Sequence, residues 1–338
     1  MKRPTIADIA RTAGVSKGAV SYALNGRPGV SEPTRRRIMA IAEELGWAPS
    51  SAARALSDGR AGAIGLVVDR PARVLGVEPF FMQLISGIQA ALAGSPTALL
   101  LQVSDHQEAE LATYRRWWAE RRVDGTLLVD LQERDRRVDL VQELGLPAVV
   151  LGGPAGVAGL PCVWTDDGVA VAEVLEYLST LGHRRIVRVA GPEEFLHTQA
   201  RSAAFTECAA RLGLDQTRIV HTDYSGEAGA RVARRLLASA EAPTALLFDN
   251  DLMAVAAVAV AQELGIAVPG QLSVVAWDDS VLCRLVHPAL TAVRRPIAEY
   301  GVAAVTLLQQ VLAGQRPDSV RTADPILVPR ASTGPAPR

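Results

Sequence analysis

Apolar positions in residues 5–46 recur at helical spacing. Ile6, Ile9, Ala10 and Ala13 share one face, which predicts a first helix ending at Ala13. Gly14 supplies the positive φ of a tight turn, and Ser16 caps a second helix running to about residue 25. Its inward stripe is Val20 and Leu24. Asn25-Gly26-Arg27-Pro28-Gly29 is turn chemistry. Ser31-Glu32-Pro33-Thr34 opens a third helix with Ile38, Ile41, Ala42 and Leu45 facing inward, closed by Gly46. Residues 50–57 can make two helical turns, too few to hold in water without a partner.

Beyond residue 62 the pattern alternates between strands and helices. Strands are expected at 64–68, 98–103, 125–129 and 148–151, then at 162–164, 186–190, 219–222, 245–248 and 273–277. Helical stretches between them include 80–93, 107–121, 168–181, 198–212, 226–239 and 250–264. This alternation predicts an α/β body of two doubly wound subdomains with a cleft between them. Residues 331–338 read as a disordered tail.

Charge sharpens the division. Residues 1–60 carry ten Lys/Arg against five Asp/Glu, and the rest of the 338 residues carry 25 against 31. A basic head on an acidic body is the footprint of a nucleic-acid-binding module joined to another domain. Cys162, Cys208 and Cys283 are scattered and odd in number, so neither a disulfide framework nor a zinc site is expected. The N-terminal residues lack the apolar core of a signal peptide, and the apolar stretches 144–165 and 252–261 are broken or short. A cytoplasmic protein with no cofactor, metal or membrane partner is expected.

Residues 5–25 carry the strongest local signal. Ala10 is small enough for two helices to approach, Gly14 makes the turn, and Val20 packs the second helix on the first. Lys17, Gly18, Ser21 and Tyr22 then face outward, where a major groove would meet them.

In these residues the chain resembles the LacI/GalR family of transcription regulators. The resemblance lies in Thr5-Ile6-Ala7-Asp8-Ile9-Ala10, Ala13-Gly14-Val15-Ser16, Val20-Ser21, Leu24-Asn25 and Val30-Ser31. It continues through Pro79-Phe80-Phe81, Val123-Asp124-Gly125, Gly182-His183-Arg184-Arg185-Ile186, Asn250-Asp251 and Val274-Val275-Ala276-Trp277-Asp278-Asp279. It implies a three-helix helix-turn-helix head (1–46) and a hinge (47–61) whose helix, 50–57, enters the minor groove. It also implies a periplasmic-binding-protein-like effector domain (62–330). The two subdomains would span about 62–159 with 292–321, and 160–291 with 322–330.

The resemblance also assigns residues. Lys17, Gly18 and Tyr22 would touch base edges, with Thr5, Ser16, Ser21 and Asn25 completing the DNA-facing set of the head. Ala53 would let paired hinge helices approach and Leu56 would wedge into a base step. Arg35, Arg36 and Arg37 are open to two readings, phosphate contacts or solvated charge. The effector would meet Phe80, Phe81, Arg201, Tyr224, Asn250 and Asp278. Arg201 and Asp278 suit paired hydroxyls, and the aromatic rings suit the apolar face of a sugar. Phe80 and Phe81 are equally readable as core, and either Asn250 or Asp251 could cap the helix that follows, with Asp251 the preferred cap. The stretch 69–78 departs from the family pattern, and Arg70 or Arg73 would favour an anionic effector.

The implied protein is not an enzyme, since the five His are scattered and no nucleophile stands in a GxSxG frame. It would be a homodimeric repressor released by a sugar from a palindromic operator. No leucine heptad follows residue 326, which points away from a tetramer. A corepressor-dependent repressor, or an activator answering a non-sugar or anionic metabolite, stays open.

Overall fold

The computed structural model describes residues 4–47, 59–70, 72–104 and 106–337, in two compact units, Met1–Ala61 and Gly62–Arg338. The expected hinge helix, with Ala53 and Leu56, lies outside the described residues.

The first unit holds α1 (Ile6–Ala13), α2 (Lys17–Leu24) and α3 (Glu32–Glu44). Thr5 and Asp8 cap α1 reciprocally, with the Thr5 N–H donating to Asp8 Oδ2 at 3.0 Å. Gly14, at φ 65°, ends α1 in the left-handed region, and Ser16 Oγ accepts from the Ala19 N–H at 3.1 Å to start α2. Ile9, Ala10, Ala13, Val20, Ala23, Ile38 and Ala42 form the buried core. Two inward positions differ from expectation. Ala23 is buried where Leu24 is only partly so, because α3 covers the earlier side of that stripe. Leu45 is 38% exposed, because α3 ends at Glu44 and its side chain leaves the packed face.

The second unit contains two sheets. The first comprises β1 (Ala63–Asp69), β2 (Ala98–Ser104), β3 (Gly125–Val129), β4 (Ala148–Leu151), β5 (Cys162–Trp164) and β11 (Val320–Arg321). Its order is β11-β5-β4-β3-β1-β2, and every pair is parallel. The second comprises β6 (Arg185–Ala190), β7 (Gln216–His221), β8 (Ala245–Phe248), β9 (Ser273–Asp278), β10 (Thr291–Arg294) and β12 (Ile326–Val328). Its order is β12-β10-β9-β8-β6-β7, with only β10–β12 antiparallel.

Helices α4 (Ala72–Leu75), α5 (Pro79–Leu92), α6 (Gln107–Ala119), α7 (Arg136–Glu143) and α13 (Ile297–Leu312) belong with the first sheet. Helices α8 (Asp167–Thr180), α9 (Leu196–Arg211), α10 (Gly226–Leu237), α11 (Asp251–Glu263) and α12 (Leu282–Leu285) belong with the second. Apolar residues fill both faces of each sheet, which is why the strands read as continuous apolar runs. Gly87 and Gly301 let α5 and α13 touch backbone to backbone. A Cβ at Gly301 would lie 2.6 Å from the Leu84 carbonyl oxygen.

Several expected boundaries move. Residues 162–164 pair with β4 in the first sheet, not the second, and 291–294 pair with β9 in the second, not the first. Strands this short carry no mark of which sheet they join; the ladder partner decides. Helices α7 and α13 were outside the expected helical stretches. Residues 331–337 are also not a disordered tail. The Val274 N–H donates to the Ser332 carbonyl at 2.9 Å, and Ala336 N–H to the Leu181 carbonyl at 2.8 Å. Thr333 Oγ1 lies 2.8 Å from Tyr177 Oη and 2.7 Å from Thr291 Oγ1. Small polar residues read as solvated until tertiary partners take up their hydrogen bonds.

Candidate functional site

In each sheet the strand order reverses beside its first strand, between β1 and β3 and between β6 and β8. The crevice at the carboxyl ends of such strands is where open α/β sheets take ligands. The residues there are Arg70 after β1, Asp130 after β3, Asp249 and Asn250 after β8, Asp278 at the end of β9, and Arg295 after β10. With Asp167 at the start of α8 they line a cavity of about 340 Å³ between the two subdomains.

Its polar groups are largely paired with one another. Arg201 Nε donates to Asp167 Oδ2 at 2.7 Å, and its guanidinium lies 4.4 Å over the Trp277 ring. Arg295 Nη1 donates to Asp278 Oδ1 at 3.1 Å. Arg70 Nη2 lies 2.7 Å from Asp130 Oδ2. Behind them Arg188 grips Asp249 with bonds of 2.8 and 2.6 Å, both side chains fully buried. His197 Nε2 lies 2.8 Å from Tyr224 Oη, and the His197 ring stacks between Phe195 and Tyr224. Trp164, Phe80 and Tyr300 add aromatic surface.

Burial and charge act against each other here. Burial works to raise the Asp167 carboxyl, but Arg201 and Arg295 outweigh it and hold the group well below the usual carboxylate range. Burial pushes His197 down to about 4, so its ring is neutral at pH 7. Burial pushes Glu78 up to about 7 despite the nearby Arg70. Asp130, Tyr224 and Asp278 have φ of 54°, 66° and 100°, a left-handed backbone that non-glycine residues seldom adopt. Such strain gathers at binding sites. Gly191 gives Tyr224 its place, because a Cβ there would lie 2.0 Å from Tyr224 Cζ.

In the head, Lys17, Gly18 and Tyr22 lie on the exposed face of α2. Thr5 and Ser16 spend their hydroxyl oxygens on helix caps, and Asn25 Nδ2 donates to Ser21 Oγ at 3.4 Å. Arg35 is neither reading in full. Its guanidinium donates to the Arg27 carbonyl at 2.8 Å and the Ala23 carbonyl at 3.4 Å, stapling the turn after α2. Arg36 and Arg37 are exposed.

Residues 5–50 match the bacterial regulatory proteins of the lacI family, and residues 175–333 match the periplasmic binding protein-like domain. The transcriptional regulator CelR of Thermobifida fusca is 32% identical over 326 residues, 95% of each chain. The chain belongs to the LacI family. The transcriptional repressor CytR of Escherichia coli is 30% identical over 333 residues, 97% of this chain and 96% of the other. A solved CelR–cellobiose complex superposes with a TM-score of 0.74 at 30% identity, covering 98% of this chain and 100% of that one.

As a LacI-family protein the chain is a DNA-binding transcription regulator and not an enzyme. The structure brings Phe80, Phe81, Arg201, Tyr224, Asn250 and Asp278 to one cavity. Phe81 is fully buried in the core of the first subdomain, as its core reading had it, while Phe80 is only partly covered. The helix cap is Asn250 rather than Asp251. Asn250 Oδ1 accepts from the Met253 N–H at 2.9 Å, while Asp251 Oδ2 accepts from the Ser280 N–H at 2.6 Å. Sequence reasoning missed Glu78, Asp130, Trp164, Asp167, His197 and Arg295 in the lining. The signal for Asp130 was a lone acid directly after an apolar strand. His197 carried no such signal.

Proposed function

We propose that this LacI-family regulator is a repressor that a neutral sugar releases from a palindromic operator. The observation carrying this reading is the charge of the cleft. Arg70, Arg201 and Arg295 are each ion-paired, and the lining carboxylates outnumber them. A phosphorylated or carboxylated metabolite would meet excess negative charge, which argues against the anionic effector that Arg70 suggested. Sugar hydroxyls donate well into carboxylates, and aromatic rings cover the apolar face of a pyranose. The cellobiose held by CelR supports the same ligand class.

The protein works as a homodimer in the cytoplasm. Among the described residues no helix is long and apolar enough to cross a membrane. Met82, Leu101, Val281 and Leu285 are large apolar side chains left exposed, as contacts with a second copy would require. A two-fold protein reads a two-fold site, so the operator is palindromic. Lys17 and Tyr22 contact base edges, Gly18 admits close approach, and Leu56 wedges into the central step between hinge helices set close by Ala53. The effector favours one arrangement of the two subdomains, and operator affinity falls when that arrangement separates the paired hinges.

The test is operator affinity at fixed salt on a palindromic site upstream of the protein's own gene, titrated with cellobiose, maltose, glucose and glucose 6-phosphate. Release by a neutral sugar supports the reading. Tighter binding with any of them makes the protein corepressor-dependent, and release by the phosphate alone removes the neutral-sugar class.

A further inference from the structure

Among the described lining acids, Glu78 has a charge that the cavity compensates poorly. It stands at the N-cap of α5 in extended backbone, but its side chain accepts no capping hydrogen bond. Its side chain is 6% exposed. Its nearest cation atom, Arg70 Nε, lies 3.8 Å away, beyond hydrogen-bond distance, and Arg70 is already committed to Asp130 at 2.7 Å. Glu78 Oε2 is buried with no hydrogen-bond partner. An unmet carboxylate oxygen at this depth costs free energy that a ligand donor would recover.

We propose that Glu78 selects the effector, its Oε2 accepting a hydrogen bond from a hydroxyl of the bound sugar, so that a ligand unable to donate there is rejected. The inference rests on the neutral-sugar reading above. The groups facing Glu78 are Arg70 and Asp130 from the first subdomain, with Asp278 and Asn250 from the second. Burial together with Asp130 and Asp278 outweighs Arg70 and a side-chain hydrogen bond with Asn250, both of which favour the carboxylate. Glu78 is therefore about half protonated near pH 7 in the free protein. A hydroxyl donating to Oε2 favours the carboxylate, so binding expels a proton. Sugar affinity rises with pH, by about tenfold between pH 6 and pH 8.

The experiment is calorimetric titration of cellobiose, maltose and glucose into the full-length dimer at pH 6 and pH 8, in two buffers of different ionisation enthalpy. Wild-type protein is expected to release up to one proton and to bind about tenfold more tightly at pH 8. Glu78→Gln keeps the shape but not the charge, and is expected to bind about tenfold or more weakly at pH 8 with a flat pH profile. Glu78→Asp, a shorter acid, is expected to retain the pH dependence with weaker binding, and thermal melts confirm that both variants fold. Sugar binding that Glu78→Gln leaves unchanged overturns the assignment while the sugar reading stands. If none of the three sugars binds, that reading fails and the inference falls with it.

Discussion

The backbone N–H of Leu196 donates to the carbonyl of Leu131 at 2.8 Å, across the cleft from one subdomain to the other. Beside it the Arg70 guanidinium of the first subdomain lies 4.9 Å over Phe195 and 5.4 Å over Tyr224 of the second. Backbone and cation together seal one wall of the cavity, and Arg70 also neutralises Asp130.

Arg70→Ala removes this contact and leaves Asp130 and Glu78 without their cation. Breaking a buried pair from one side costs about 3–5 kcal/mol. Urea unfolding of the variant should show a loss of that order. A loss below about 1 kcal/mol would mean that water already solvates the pair.

Arg201→Ala should be as costly for the fold and should also abolish the effector response, because Asp167 loses its closest cation. Operator affinity without effector should be retained in the fraction that stays folded. A normal effector response in this variant would put the ligand elsewhere.

Glu78 also makes stability depend on pH. Its folded value of about 7 lies above the ordinary 4.5, so the fold holds the proton more tightly than the open chain does. The stabilisation is full below about pH 4.5 and is lost as pH rises through 7. This amounts to about 3 kcal/mol between those limits. Glu78→Gln should therefore be more stable than wild type at pH 8 and lose that advantage by pH 5. His197 acts in the opposite sense: its value falls to about 4 from 6.5, so its contribution is present above 6.5 and declines as pH drops toward 4.

Lys17→Ala and Tyr22→Ala should each weaken operator binding by about 1–3 kcal/mol and relax the base preference at one position per half-site. A loss that is uniform across operator sequences would instead identify phosphate contacts. Mutating each operator base in turn against each variant separates the two.

Leu56→Ala should abolish the operator bend and reduce specific affinity, while non-specific binding changes little. Gel-shift bend analysis reads the first and competition with random DNA the second. An unchanged bend would place Leu56 outside the base stack.

Periodicity and turn chemistry determined the three helices of the head and most of its buried face, Ala23 in place of Leu24 and the exposed Leu45 excepted. Ile9, Gly14, Ser16 and Val20 act within a few residues of their partners, so local spacing carries their roles. The alternation of strands and helices likewise fixed the α/β class, because strands buried on both faces read as apolar runs. Tertiary structure decided what depends on distant partners. Cys162–Trp164 joins the first sheet through its ladder with β4, and the last residues are held by Thr291, Tyr177 and Leu181. The charge of the cleft was beyond the sequence for the same reason. Arg70 reads as a cation along the chain, and only the fold brings Asp130, 60 positions later, to within 2.7 Å of it. Ionisation in a buried site depends on what surrounds it in space, and chain order does not carry that information.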